Sequence, residues 1–333
     1  MNRNKKTVMA ILAVVTIVCV AVVAVILIKP KIGIAQAKSS DTQSDVDEYG
    51  EDTSSSYRTI TYNGKEYTYN QNLSTVLFLG VDQHEKAESN GYKGTGGRSD
   101  CIILLIMDSS NNTVKMLEIS RDTMVDVAVY DTSGEYALDM NMQITMQYSY
   151  GDGANKSCRL TKEAVSKLLY GIPIDNYFSM NIDGISTVTD AVGGVTLTVP
   201  QDYTDVDPQF TQGATLELDG VQAEKYVRKR DTSVTGSNDG RMERQMQYIR
   251  ALVAQLQSSA TGVSTYQSLL DKASDYIVTD MQADDLYALT KCSLDDEEYK
   301  VAGQTVKGTA NDEYHVDEQA LQKQIIDLFY VEN

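Results

Sequence analysis

Six arginines of this chain fall into four short motifs: Gly97-Arg98-Ser99-Asp100, Ser120-Arg121-Asp122-Thr123, Arg228-Lys229-Arg230 and Gly240-Arg241-Met242-Glu243-Arg244-Gln245. The surrounding sequence is acidic, with a formal net charge of −18, so the clustering is not a by-product of a basic composition. A guanidinium offers a planar fork of donors that matches phosphate oxygens bidentately, which an ammonium does not. Arg241 and Arg244 are three apart at the start of a helical pattern and so share a face. Free N–H groups and the positive dipole end already favour an anion there. Six guanidiniums exceed what one carboxylate or monophosphate uses; a diphosphate fits the donor count better. Asp100 and Asp239 are hard oxygen ligands beside these arginines, suited to Mg²⁺ bridging phosphate oxygens. Taken singly, each Arg-Asp pair reads as a structural ion pair, and Asp239 as a helix N-cap. Their order and spacing together carry the argument.

Other chemistries find little support. The two histidines, His84 and His315, lie in no hydrolase or zinc-peptidase pattern. The glycine-rich stretch 91–97 lacks the Gly-Lys-Ser/Thr ending of a phosphate loop and reads as a mobile loop beside Arg98, a gate to the site. Cys101, Cys158 and Cys292 are scattered, without a CxxC pair, and read as buried thiols rather than a disulfide framework or zinc site. The negative charge argues against nucleic acid as a partner.

The elements that must position the arginines follow from the hydrophobic pattern. Apolar runs at 76–79, 101–107 and 114–119 read as buried strands, and Asn63-Gly64 turns a hairpin within 57–69. Arg98 thus precedes a strand and Arg121 follows one. Thr161 and Asp183 open helical patterns, Asp219 caps a helix running into Arg228, and 241–257 is a long amphipathic helix. Strands alternating with helices predict an α/β fold: one three-layer α/β/α domain with a central mixed sheet, over residues 58–333. Ahead of it, residues 7–28 carry no charge and suffice to cross a hydrocarbon core of about 30 Å as one transmembrane helix. Arg3, Lys5 and Lys6 make 1–6 the expected cytoplasmic N-terminus, and the polar stretch 29–57 an extracytoplasmic tether.

The motif series as a whole resembles the LytR-CpsA-Psr family of cell-wall phosphotransferases, over residues of roughly 58–333. It includes Leu77-Phe78-Leu79-Gly80-Val81-Asp82, Gly171-Ile172-Pro173-Ile174-Asp175, Asp190-Ala191-Val192-Gly193-Gly194-Val195 and Leu218-Asp219-Gly220, besides the arginine motifs. The resemblance implies transfer of an anionic glycopolymer, of teichoic acid or capsular polysaccharide type, from undecaprenyl pyrophosphate onto peptidoglycan. It further implies a single-pass protein of a Gram-positive-type cell envelope, working against membrane lipid. On these residues it implies a pyrophosphate site of Arg98, Arg121, Arg228, Arg230 and Arg241 with Gln245, to which the helical spacing adds Arg244. Asp100 is the implied Mg²⁺ ligand, and Arg121 with Asp122 the catalytic pair, Asp122 as base or as structural partner of the arginine. The polyprenyl tail would lie in an apolar tunnel between sheet and helices. Two departures stand out. Asn238 occupies the place of the family's second metal-linked aspartate, with Asp239 one residue later, and Asp139 stands where a lysine is usual. The same arginines would also serve a polyprenyl-pyrophosphate hydrolase. A membrane-bound regulatory protein is the other alternative, disfavoured by the absence of a helix-turn-helix pattern.

Overall fold

A computed structural model describes residues 59–84, 86–89, 96–229, 237–259, 262–309 and 311–333. The expected N-terminus 1–6, membrane segment 7–28 and tether 29–57 lie outside the described residues, as do Arg230 and most of the glycine-rich stretch. Among the described residues no helix is long and apolar enough to cross a membrane.

The first hairpin pairs β1 (Thr59–Tyr62) with β2 (Lys65–Tyr69). Its turn has Asn63 and Gly64 at φ of 50° and 79°, the left-handed geometry that an Asn-Gly pair accepts readily. Three antiparallel neighbours follow: β3 (Leu73–Val81), β4 (Ser99–Asp108) and β5 (Thr113–Glu118). A second hairpin, β6 (Met124–Tyr130) and β7 (Tyr136–Gln143), stands apart from them. Then α1 (Met146–Ser149) and α2 (Asn155–Leu168) lead to β8 (Asn176–Asn181), which lies parallel to β3. Next come α3 (Ile182–Ala191), the small hairpin β9 (Val195–Thr198) and β10 (Thr215–Leu218), α4 (Gly220–Arg228) and the long α5 (Ser237–Ser259). After α6 (Val263–Ala273), β11 (Ile277–Thr279) and α7 (Ala283–Leu289), the short strands β12 (Ser293–Leu294) and β13 (Tyr299–Lys300) lie parallel to β5. A hairpin of β14 (Gly303–Lys307) and β15 (Asp312–Val316), then α8 (Glu318–Phe329) and β16 (Tyr330–Glu332) complete the chain, β16 returning to β2.

The central sheet runs β11-β8-β3-β4-β5-β12 with parallel and antiparallel neighbours, the mixed sheet that the sequence predicts. Its strands are apolar on both faces, as a sheet covered on both sides requires. Leu77, Leu79, Ile102 and Leu104 pack with Val165 of α2 and Ile325 and Phe329 of α8. Val76, Ile103, Leu105 and Met116 pack with Ala223 and Tyr226 of α4 and Met246 and Ile249 of α5. Helices on both faces make the three layers.

Two helix starts differ from expectation. α2 begins at Asn155, because Asp152 Oδ1 accepts from the N–H groups of Ala154, Lys156 and Ser157; Thr161 lies inside the helix and donates to the Ser157 carbonyl at 2.9 Å. α5 begins at Ser237, so Arg241 and Arg244 sit in its second turn rather than its first. Asp219 does cap α4, accepting from Gln222 N–H at 2.8 Å in a reciprocal capping box.

Candidate functional site

Antiparallel pairing of β4 with β5 sets Ile103 opposite Glu118. Three residues back along β4 stands Asp100; three onward from β5 stands Arg121. The register therefore delivers the second arginine motif onto the aspartate of the first, and Arg121 Nη1 donates to Asp100 Oδ1. Arg241 reaches the same carboxylate from α5, its Nη1 donating to Asp100 Oδ2 at 3.0 Å. Its Nη2 donates to Asn238 Oδ1, one helical turn earlier, at 2.7 Å. Behind Arg121, Asp122 Oδ1 lies 3.5 Å from Arg121 Nε and accepts from Gln143 Nε2 at 2.9 Å. Arg121, Asp122, Arg241 and Asn238 are all buried. Charges at such depth persist only when paired and hydrogen-bonded, as these are.

Asp100 and Arg241 of this network line a cavity of about 780 Å³, its open mouth included, with Arg121, Asp122 and Asn238 behind them. Asp100, Arg241, Gln245 and Arg228 line its polar end; Phe78, Met180, Ile185, Val227, Tyr248 and Ile249 line the rest. Gly80 belongs to the lining, and a Cβ there would stand 2.9 Å from Cys101 Cβ, so no larger residue fits between these strands. Gln245 Oε1 is buried with no hydrogen-bond partner among the described residues, an acceptor left for a donor from outside. Burial pushes the Cys101 thiol of the same lining up to about 12, which keeps it protonated and unsuited as a nucleophile.

The expected site residues do not all converge. Asp100, Arg121, Arg241, Asn238 and Gln245 come together, and Arg228 stands exposed at the rim, paired with Glu224 at 2.9 Å. Arg98 is exposed and outside the cavity lining, and Arg230 is outside the described residues. Arg244 turns away. Its Nε donates to the Tyr226 carbonyl at 2.9 Å, Nη1 to that of Gly240 at 2.8 Å and Nη2 to that of Lys229. Its guanidinium also lies 4.8 Å over the Tyr203 ring. With a donor on each nitrogen bound to main chain, Arg244 clamps the end of α4 to the start of α5 instead of holding phosphate. Asp122 is held behind Arg121, accepting from Gln143 Nε2, and like Arg121 is absent from the cavity lining.

Asp239 also departs from expectation. Its Oδ1 accepts from Lys300 Nζ at 2.7 Å, whereas Asn238 meets Arg241. Among the described residues no group of three acidic, histidine or cysteine side chains could hold a metal alone. Mg²⁺, however, is commonly held by one or two carboxylates with substrate phosphates and water. Asp100 and the amide oxygen of Asn238, both bonded to Arg241, are the oxygens that such a centre would draw on.

Lys300 also lies 3.7 Å from Glu118 Oε1. Burial raises the Glu118 carboxyl to about 7, against the lowering pull of Lys300. A carboxyl pKa raised on folding stabilises the fold fully below its unfolded value, and that contribution is lost as pH rises through about 7. Glu118→Gln removes this loss. Going from pH 5 to pH 8, the wild type is expected to lose up to about 3 kcal/mol relative to the variant, read by thermal unfolding at each pH.

Sequence reasoning missed the apolar lining, because Phe78, Met180, Ile185 and Ile249 come from four elements and each reads locally as core. It also missed Lys300, whose relation to Asp239 spans 61 positions of chain.

Comparison with known proteins places the chain in a family. The model described as the LytR_cpsA_psr family matches residues 34–329. The polyisoprenyl-teichoic acid–peptidoglycan teichoic acid transferase TagV of Bacillus subtilis (strain 168) is 34% identical over 222 residues, covering 65% of this chain and 51% of the relative. TagU of Enterococcus faecalis (strain ATCC 700802 / V583), named for the same transfer, is 33% identical over 221 residues, 65% of this chain and 64% of its own. The chain thus spans half to two thirds of the length of these relatives. The crystal structure of B. subtilis TagV superposes with a TM-score of 0.59 at 28% identity, covering 78% of this chain and 96% of that one.

Proposed function

The chain belongs to the LytR-CpsA-Psr family, and from that premise we propose that it transfers an anionic glycopolymer from a polyprenyl pyrophosphate carrier onto peptidoglycan. Undecaprenyl is the carrier proposed, and a polymer of teichoic acid or capsular polysaccharide type the cargo, the former favoured by the names of the relatives. One observation carries the reading: Asp100 and Arg241, with Arg121 bonded to Asp100 from behind, line the polar end of an otherwise apolar cavity. Arginines alone would suit any phosphate. Arginines at the mouth of a cavity lined by Phe78, Ile185, Val227 and Ile249 suit a phosphate with a hydrocarbon tail.

In this reading the diphosphate displaces part of the Asp100 pairing and takes its place on the freed guanidinium donors of Arg121 and Arg241. Arg228 closes over it from the rim, and the first isoprene units lie against Phe78 and Ile249. A peptidoglycan hydroxyl oxygen attacks the phosphorus that bears the glycan. The bond from that phosphorus to the bridging oxygen breaks, and lipid monophosphate leaves, its departing oxygen taking up the hydroxyl proton. Fixed guanidiniums stabilise charge on the transferring group without reorganising, the main source of rate in phosphoryl transfer. Mg²⁺ held by Asp100 and Asn238 would neutralise charge on the phosphate oxygens. Residues 7–28, read as a membrane anchor, would keep the site within reach of a lipid-borne substrate.

The test is reconstitution of the full chain in vesicles carrying lipid-linked glycopolymer, with peptidoglycan sacculi added. Polymer covalently bound to sacculi is the expected product. Polymer phosphate released free, with none on the sacculi, would instead identify a hydrolase.

A further inference from the structure

The charged cluster beside the cavity has a role of its own. Lys300 is fixed on β13, whose pairing with β5 sets it opposite Glu118, and its carbonyl accepts from Gln324 Nε2 of α8 at 2.8 Å. From this strand its ammonium reaches across to the first turn of α5 and binds Asp239 Oδ1 at 2.7 Å, with Glu118 at 3.7 Å and the Tyr314 ring at 5.4 Å. Asp239 shares that turn with Asn238, which is bonded to Arg241. A carboxylate so close to a diphosphate site works against the anion unless its charge is cancelled or turned aside. Lys300 does both.

We propose that Lys300 is a positioning residue of the diphosphate site: it neutralises Asp239 and holds its carboxylate on the far side of α5, leaving Asn238 as the only residue of the pair that meets Arg241. This rests on the diphosphate reading above and adds to it a residue outside the arginine motifs. Lys300 touches neither the cavity lining nor the paired arginines, so it acts through Asp239.

The experiment titrates inorganic pyrophosphate, in Mg²⁺ buffer, into the full chain and its variants by calorimetry, with melting temperatures measured alongside. Lys300→Met leaves one uncompensated negative charge, and binding is expected to weaken roughly tenfold. Lys300→Arg keeps the charge and wild-type affinity. Asp239→Asn binds at least as tightly as wild type, and the double variant Asp239→Asn/Lys300→Met returns to wild-type affinity. At pH 6 the Glu118 carboxyl is largely protonated and the Lys300–Asp239 pair is partly exposed, so melting temperatures measured there should hardly move. A merely structural lysine would lower the melting temperature and would not be rescued by Asp239→Asn. Unchanged affinity in Lys300→Met overturns the proposal, as does a double variant as weak as the single. Weaker binding by Asp239→Asn overturns it too, by making Asp239 a ligand after all. A wild type that binds no pyrophosphate at all overturns the diphosphate reading itself, and the role of Lys300 with it.

Discussion

Arg121→Ala is expected to abolish transfer and to weaken the fold together. Its guanidinium bonds Asp100, lies 3.5 Å from Asp122, and is itself buried. Removing it leaves Asp100 with Arg241 alone and strips Asp122 of its nearest cation, and unpairing a buried charge costs about 3–5 kcal/mol. Loss of a fixed donor to the transferring phosphoryl group lowers rate by about 10²–10³. The two effects separate with Arg121→Lys. That variant keeps the charge but has no fork to span Asp100 and a phosphate. Chemical denaturation should then recover most of the stability while transfer stays at least about tenfold below wild type. An Arg121→Ala protein that transfers normally would remove this arginine from the mechanism.

Arg244→Ala is expected to act on the site from behind. Its three donors satisfy the carbonyls of Tyr226, Lys229 and Gly240, which lie at the end of α4 and the start of α5. Helix ends carry unsatisfied carbonyls that need such partners, and leaving a buried one unmet costs about 1–3 kcal/mol. Loss of the stacking on Tyr203 adds to this. A total near 3 kcal/mol is expected in urea unfolding. Pyrophosphate binding should weaken several-fold rather than vanish, because Arg228 in the last turn of α4 loses its anchor while Arg121 and Arg241 stay in place. Complete loss of binding with normal stability would return Arg244 to the phosphate site.

How much of this was readable beforehand depended on whether the cause was local. The arginine motifs sit at the ends of strands and helices, and those ends are marked by apolar runs, glycines and the Asp219 cap. The placement of Arg121 and Arg228 therefore followed from pattern. The meeting of Arg121 with Asp100 depends on the β4–β5 register, which no local pattern specifies. Arg244 was misread for a geometric reason. Residues three apart share a helix stripe but point some 60° apart. Arg241 thus faces the sheet edge and its cavity, while Arg244 faces α4. Likewise sequence favoured Asp239 as the metal ligand with Asn238 as the alternative, and no local pattern showed that β13 brings Lys300 to Asp239. The hairpin of β6 and β7 was not anticipated either. Its second strand, Tyr136–Gln143, does alternate, with Leu138, Met140 and Met142 between Asp139, Asn141 and Gln143, but Tyr136, Leu138 and Met140 stay exposed, so the pattern marks no face of the core.

The central claim is that one cavity holds both the diphosphate and the beginning of its hydrocarbon tail. A crystal structure with a short polyprenyl diphosphate and Mg²⁺ tests it most directly. The account predicts phosphate oxygens within hydrogen-bond distance of Arg121 and Arg241, the metal against Asp100 and Asn238, and the tail against Phe78, Ile185 and Ile249. A diphosphate bound elsewhere, or bound here with its tail pointing into solvent, would contradict it.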